Sequence, residues 1–148
     1  MSNPAKVLPG AGKAVPGLMQ AIAEGGVPGP ILELVHLRVS QINGCSACVY
    51  AGVHNARKDG ESDERLHMVP VWRETDLFSE PERAALALAE AATRLADRPD
   101  AVSDEVWAEA ARHFDEPGLA ALVLMIAVTN FFNRVNVTVR QPAGAVWA

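Results

Sequence analysis

Ile42-Asn43-Gly44-Cys45-Ser46-Ala47-Cys48-Val49-Tyr50-Ala51-Gly52-Val53-His54 holds both cysteines of the chain and one of its four histidines. Asn43-Gly44 reads as a helix stop, because Gly tolerates the left-handed conformation in which helices end. The residues after it read as a new helix that opens on a Cys-X-X-Cys pair and runs from about Cys45 to Lys58. At 100° per residue the two side chains lie about 60° apart on one face, close enough to form a disulfide or share a metal. A helix start carries partial positive charge and unpaired N–H groups, which favour the thiolate, the nucleophilic form of the sulfur. The competing reading is that Cys is a small buried hydrophobe; it suits a lone Cys better than a tight pair.

Working outward, the helix before the pair spans Ile31 to Ile42, with Ile31, Leu34, Val35, Val39 and Ile42 at helical spacing. Glu33, His36 and Ser40 fall on its other faces, and Glu33 and His36 share one of them. The turn folds this helix back on the cysteine helix, so a Glu33 carboxylate could approach the thiols as a proton acceptor; spacing alone favours a solvated Glu33. His54 lies six residues after Cys48, about 120° around the helix from it.

Beyond this hairpin the chain keeps reading as helix. Residues 1–15, with Pro4, Pro9, Gly10 and Gly12, read as an irregular arm, and Pro16 to Glu24 as a short helix. Ser62 caps a short helix to Met68, and Arg73 to Phe78 reads as a connection. Ser79-Glu80-Pro81-Glu82 is a capping box for an Ala-rich helix to about Ala96. Ser103 caps a helix through Phe114, and a last long helix spans about Gly118 to Val137. Only Val135 to Val139 resembles a strand. The expectation is one all-α domain over 1–148, a bundle of about seven helices built from helical hairpins.

Composition bounds the function. The chain has 148 residues, 49% of them hydrophobic, with a formal charge of −5. That suits one globular core and counts against nucleic acid as a partner. The N-terminus shows no signal peptide. The longest apolar run, Leu119 to Val128, is half a membrane span and fits a buried core helix. These features point away from a membrane and toward the cytoplasm, a reducing compartment where Cys-X-X-Cys is more often catalytic or metal-binding than a structural staple. No cofactor is expected. A metal module would use Cys45, Cys48 and a histidine, but zinc sites usually bring four ligands.

Glu33, eleven residues, then Cys45-Ser46-Ala47-Cys48 within Ile-Asn-Gly-Cys resembles the core motif of the alkylhydroperoxidase D (AhpD) family, part of the carboxymuconolactone decarboxylase superfamily. Ala56-Arg57-Lys58-Asp59-Gly60-Glu61-Ser62 resembles the family's exit from the cysteine helix. Thr129-Asn130-Phe131-Phe132-Asn133-Arg134-Val135-Asn136 resembles its final helix. The likeness covers residues 30–140. It implies an all-α fold, a homo-oligomer (trimer or hexamer) and reduction of hydroperoxides, with a thiol or dithiol carrier re-reducing the pair. It assigns Cys48 as the attacking thiol, Cys45 as the resolving one and Glu33 as the relay carboxylate. The family's relay histidine stands four residues after the second Cys; that position is Gly52 here, and His54 and His36 are the candidates to replace it. The dipole favours Cys45 as the more acidic thiol, whereas the resemblance favours Cys48. A decarboxylase like the superfamily's namesake is the other enzymatic reading, though that activity needs no Cys-X-X-Cys. The apolar tail Ala145-Val146-Trp147-Ala148 suits docking on a neighbouring subunit.

Overall fold

Every regular element among the described residues, 1–145 of the computed structural model, is helical. Eight α-helices follow in order: α1 Pro4–Val7, α2 Pro9–Glu24, α3 Gly29–Ile42, α4 Ser46–Lys58, α5 Asp63–Met68, α6 Glu80–Thr93, α7 Asp104–His113 and α8 Glu116–Thr138. A 3-10 turn, Val69–Glu74, joins α5 to the approach of α6. Of the apolar tail expected to dock on a neighbouring subunit, Val146, Trp147 and Ala148 lie outside the described residues.

The expected irregular arm at 1–15 is helical. Pro4 and Pro9 stand in the first turns of α1 and α2, where a missing N–H costs nothing. Asn3 caps α1 by accepting from the Ala5 N–H at 3.0 Å, and its own amide reaches Asn136 on α8. The strand-like run Val135–Val139 continues α8 as far as Thr138. The Ala-rich helix stops at Thr93, short of the expected Ala96. Arg73 and Glu74, read as connection, belong to the 3-10 turn.

α3 is the central element. Val35 and Val39 join Ile22 of α2, Leu88 of α6 and Leu122 and Ile126 of α8 in one apolar cluster. Leu34 and Leu37 join Leu66, Val69, Trp72 and Leu86 in a second. α4 packs along α3 as the second arm of a hairpin, and α8 runs across both. By length and composition α8 alone among the described helices could cross a membrane. Here it serves the core: Leu122, Met125, Ile126 and Val128 are buried in it, while Val123 and Leu124 face outward.

One buried carboxylate ties three elements together. Glu90 of α6 accepts from Arg38 Nε of α3 at 2.7 Å and from the Trp72 indole N–H at 3.1 Å, and pairs with Arg73 and Arg94. Burial pushes its carboxyl up, but the hydrogen bonds from Arg73, Arg38 and Trp72 and the Arg38 charge together hold it below the ordinary range. Nearby, Glu82 completes the predicted capping box with the Ser79 N–H at 2.7 Å and holds Arg65 at 2.5 Å.

Candidate active site

The turn between α3 and α4 sets the site. Gly44 sits at φ 66, as the helix stop requires, and the Cys45 N–H closes back on the Ser40 carbonyl at 3.0 Å. The Asn43 amide then donates to Asn130 at 2.9 Å and Asn133 at 2.8 Å, and Asn133 donates to the Ser40 hydroxyl at 3.1 Å. This amide network clamps the turn onto α8. Asn130, Asn133 and Asn136 recur every three residues, a polar stripe along an otherwise apolar helix.

Cys45 is the cap of α4 and not its first residue. Its sulfur accepts from the Cys48 N–H at 3.3 Å, filling the capping role that an oxygen commonly takes. The two cysteines are joined as a disulfide with their Cα atoms 5.3 Å apart. Both are buried, and they open on different sides. Cys48 lines a cleft of about 350 Å³ with Val15, His36, Ala47, Ala51, Phe132, Asn136 and Ala145. Cys45 lines a smaller one of about 160 Å³ with Gly44, Ser46, Asn136, Val137, Arg140 and Gln141. The Asn136 amide donates to the Cys48 sulfur at 3.3 Å and accepts from Asn3 at 3.3 Å.

Glu33, favoured by its spacing to be solvated, is partly buried and holds His36 Nδ1 at 2.7 Å. The pair sits against α4 at Gly52, where a Cβ would lie 3.2 Å from both Glu33 Oε1 and His36 Nδ1. His36 therefore occupies the space beside the position where the resembling family carries its relay histidine. α4 runs unbroken from Ser46 to Lys58, without the distortion at Gly52 that would turn His54 inward. His54 is exposed, stacks on Tyr50 and lines a cleft with Ser46, Val49, Val53 and Arg57. Of the five sequence-predicted residues, Cys45, Cys48, Glu33 and His36 come together, and His54 stands apart. Asn136, Asn3 and Phe132 were not singled out for a role; the three-residue spacing of the asparagines on an apolar helix is the signal that marks the first of them.

The cysteines are bonded to each other. Among the described residues, the group with metal-ligating spacing is Glu80, Glu109 and His113, at the α6–α7 contact. There Glu109 is already engaged by His113 and Arg112.

Residues 9–91 match the model of the carboxymuconolactone decarboxylase family. The chain is 36% identical over 113 residues to the uncharacterised protein YdfG of Bacillus subtilis (strain 168), covering 76% of each. It is 36% identical over 114 residues to the uncharacterised protein YnjA of Escherichia coli (strain K12), covering 76% of this chain and 60% of that one. Among solved structures it resembles a protein of unknown function from Agrobacterium tumefaciens, ATU0492, provisionally taken as the antioxidant defence protein AhpD. That likeness has a TM-score of 0.88 at 32% identity over 97% of both chains. The debrominase Bmp8 is similar too, at TM-score 0.82 and 25% identity over 95% of this chain and 74% of that one. With a helical bundle, a cysteine pair opening α4 and a matching family model over more than half its length, the chain belongs to the carboxymuconolactone decarboxylase family and its AhpD-like branch.

Proposed function

We propose that the chain is a thiol-dependent oxidoreductase that reduces hydroperoxides with the Cys45–Cys48 pair. The observation that carries this reading is the position of Cys48, bonded to Cys45 and facing an apolar cleft that also holds His36. The Cys48 thiolate attacks the distal peroxide oxygen, the O–O bond breaks, and the alkoxide leaves as alcohol with one proton. Cys48 is then a sulfenic acid. The Cys45 thiol displaces its hydroxyl as water and forms the disulfide. A dithiol of a carrier returns two electrons and two protons by exchange.

Glu33 and His36 supply the proton handling. The carboxylate accepts Nδ1–H, which leaves Nε2 with a lone pair as base. Val15, Ala47, Ala51 and Phe132 make the cleft apolar, which suits an organic hydroperoxide better than hydrogen peroxide. The chain works as a homo-oligomer, trimer or hexamer, as its family resemblance implies. A free-thiol count before and after one equivalent of cumene hydroperoxide tests the chemistry: two thiols should fall to none as one alcohol forms. Two thiols that persist would overturn it.

The same apolar cleft supports a second reading, reductive removal of halogen from an aromatic ring, since the structurally similar Bmp8 is a debrominase. The dithiol would become the disulfide as bromide and one proton are released and a C–H bond replaces C–Br. Bromide release from a brominated aromatic compound by the reduced chain tests it, and no release would exclude it.

A further inference from the structure

We propose that Asn3, just ahead of α1, is a positioning residue of the active site. It holds the Asn136 carboxamide so that an N–H, and not the carbonyl oxygen, faces the Cys48 sulfur. The proposal rests on the reading of Cys48 as the attacking thiol. Both asparagines lie outside residues 9–91, the stretch that the family model matches.

The orientation passes along three hydrogen bonds. A side-chain amide carries an acceptor at one end and donors at the other, and it can turn either end to a neighbour. A backbone N–H cannot reverse. That of Ala5 donates to Asn3 Oδ1 at 3.0 Å, the bond that caps α1. With its oxygen so taken, Asn3 presents Nδ2 to α8 and donates to Asn136 Oδ1 at 3.3 Å. Asn136 is thereby left with Nδ2 toward Cys48, and donates to its Sγ at 3.3 Å. Asn3 is 4% exposed and Asn136 6%, so bulk water does not compete for these bonds. Reversing Asn136 alone would set donor against donor at Asn3 and a carbonyl oxygen against the sulfur.

The direction matters once the pair is reduced. A neutral sulfur is a weak acceptor and a thiolate a strong one, so the bond from Asn136 strengthens as Cys48 ionises. A carbonyl oxygen in the same place would repel the charge. Donation to the charged form favours the thiolate, which is the attacking species. Among the residues lining the Cys48 cleft, the titratable groups are Cys48 of α4 and His36 of α3, which Glu33 holds at 2.7 Å. The lining residues from α2 and α8 are uncharged, and Arg140 stands with Cys45 in the smaller cleft. The asparagine chain is therefore the neutral part of the support that Cys48 receives, and it begins at the N-terminal end of the fold.

The test uses the full chain with Cys45→Ser, which leaves Cys48 as the single thiol, and follows its alkylation by iodoacetamide from pH 6 to 10. This readout needs no peroxide. Asn136→Ala removes the donor and should slow alkylation at pH 7 by about tenfold, with the midpoint raised by about one pH unit. Asn3→Asp is the decisive variant. Its carboxylate still accepts the Ala5 N–H and keeps the cap, but it can only accept from Asn136. Asn136 must then turn its N–H to the new carboxylate and its carbonyl oxygen to the sulfur. Asn3→Asp should therefore slow alkylation at pH 7 at least as much as Asn136→Ala. Asn3→Ala, which lets Asn136 take either orientation, should fall between Asn3→Asp and the parent. The double variant Asn3→Asp with Asn136→Ala separates orientation from charge. With no amide left to turn, it should match Asn136→Ala within about twofold. All profiles should converge on the parent rate well above pH 8.5, where a thiol ionises unaided. Should Asn136→Ala lose helix content by circular dichroism, the order of Asn3→Asp and Asn3→Ala carries the test. A parent-like profile in Asn3→Asp, an equal loss at every pH, or a double variant slower than Asn136→Ala would overturn the proposal. If the profiles shift as expected and the unsubstituted chain consumes no hydroperoxide, the positioning stands and the peroxidase reading falls.

Discussion

A thiolate at Cys48 would receive the Asn136 N–H, 3.3 Å from its sulfur, and would face His36 across the cleft. One at Cys45 would have the Cys48 N–H, also at 3.3 Å, and the free N–H groups of the first turn of α4. The dipole therefore serves Cys45, and the base serves Cys48. Nucleophilic attack needs access and a proton acceptor as well as acidity, so Cys48 should be the attacking thiol. Brief peroxide exposure of Cys45→Ser should leave a sulfenic acid on Cys48 that dimedone traps, while Cys48→Ser consumes peroxide at background rate. Mass spectrometry that finds the adduct on Cys45 instead would reverse the roles. His36→Ala should lower the oxidation rate of the reduced pair by about 10²-fold. His54→Ala, whose ring stacks on Tyr50 in another cleft, should leave it within about twofold. A larger loss in His54→Ala than in His36→Ala would return the relay to His54. The cysteines, Glu33 and His36 were legible because one hairpin brings them together over a short stretch of sequence. Asn136 was not, because its contact with Cys48 spans 88 positions.

At the scale of elements, local chemistry was read well and context less well. The caps at Ser62 and Ser103 and the box at Ser79 stand where the sequence places them. Pro4 and Pro9 were taken as breakers, yet each starts a helix, because a proline's effect depends on whether the turn behind it exists. No local pattern announces Glu90, since its partners Arg38, Trp72 and Arg73 come from two other segments. Glu90→Gln would leave Arg38, largely buried, without its counter-charge, at a cost of about 3 kcal/mol. For a chain of this size that lowers Tm by roughly 6–12 °C. The pH dependence follows from the depressed carboxyl. Its stabilisation is fully present above the unfolded value near 4.3 and is lost as pH falls through the lower folded value. Thermal unfolding from pH 7 down to 3 should show the wild type losing stability below about pH 5. The Glu90→Gln curve should be flatter over the same range. Parallel curves would mean that the cluster contributes nothing through charge.

For the whole molecule, the all-α class followed from the lack of period-two patterning, and the family likeness in 30–140 supplied the arrangement. What a single chain leaves open is the outer face of α8. Ala120, Val123, Leu124, Ala127 and Val137 are exposed along it at intervals of one to three turns. On the inner face the same helix carries Asn133 and Asn136, which hold the cysteine turn. The chain exposes 8290 Å². A compact monomer of 15.8 kDa would expose about 7,300 Å². The surplus, about 1,000 Å², is comparable to one partner's share of a stable interface. In the proposed homo-oligomer a second copy docked on α8 would cover the apolar stripe and brace the helix on which Cys48 leans. Light scattering at micromolar concentration should therefore give three or six times the chain mass. Val123→Glu with Leu124→Glu should drive the assembly toward monomer, because two charges cannot be buried in an apolar contact without partners. The same variant should oxidise more slowly with peroxide while keeping its helix content, since the asparagine clamp loses its backing. A monomeric wild type, or a charged variant with unchanged mass, would exclude α8 as the interface.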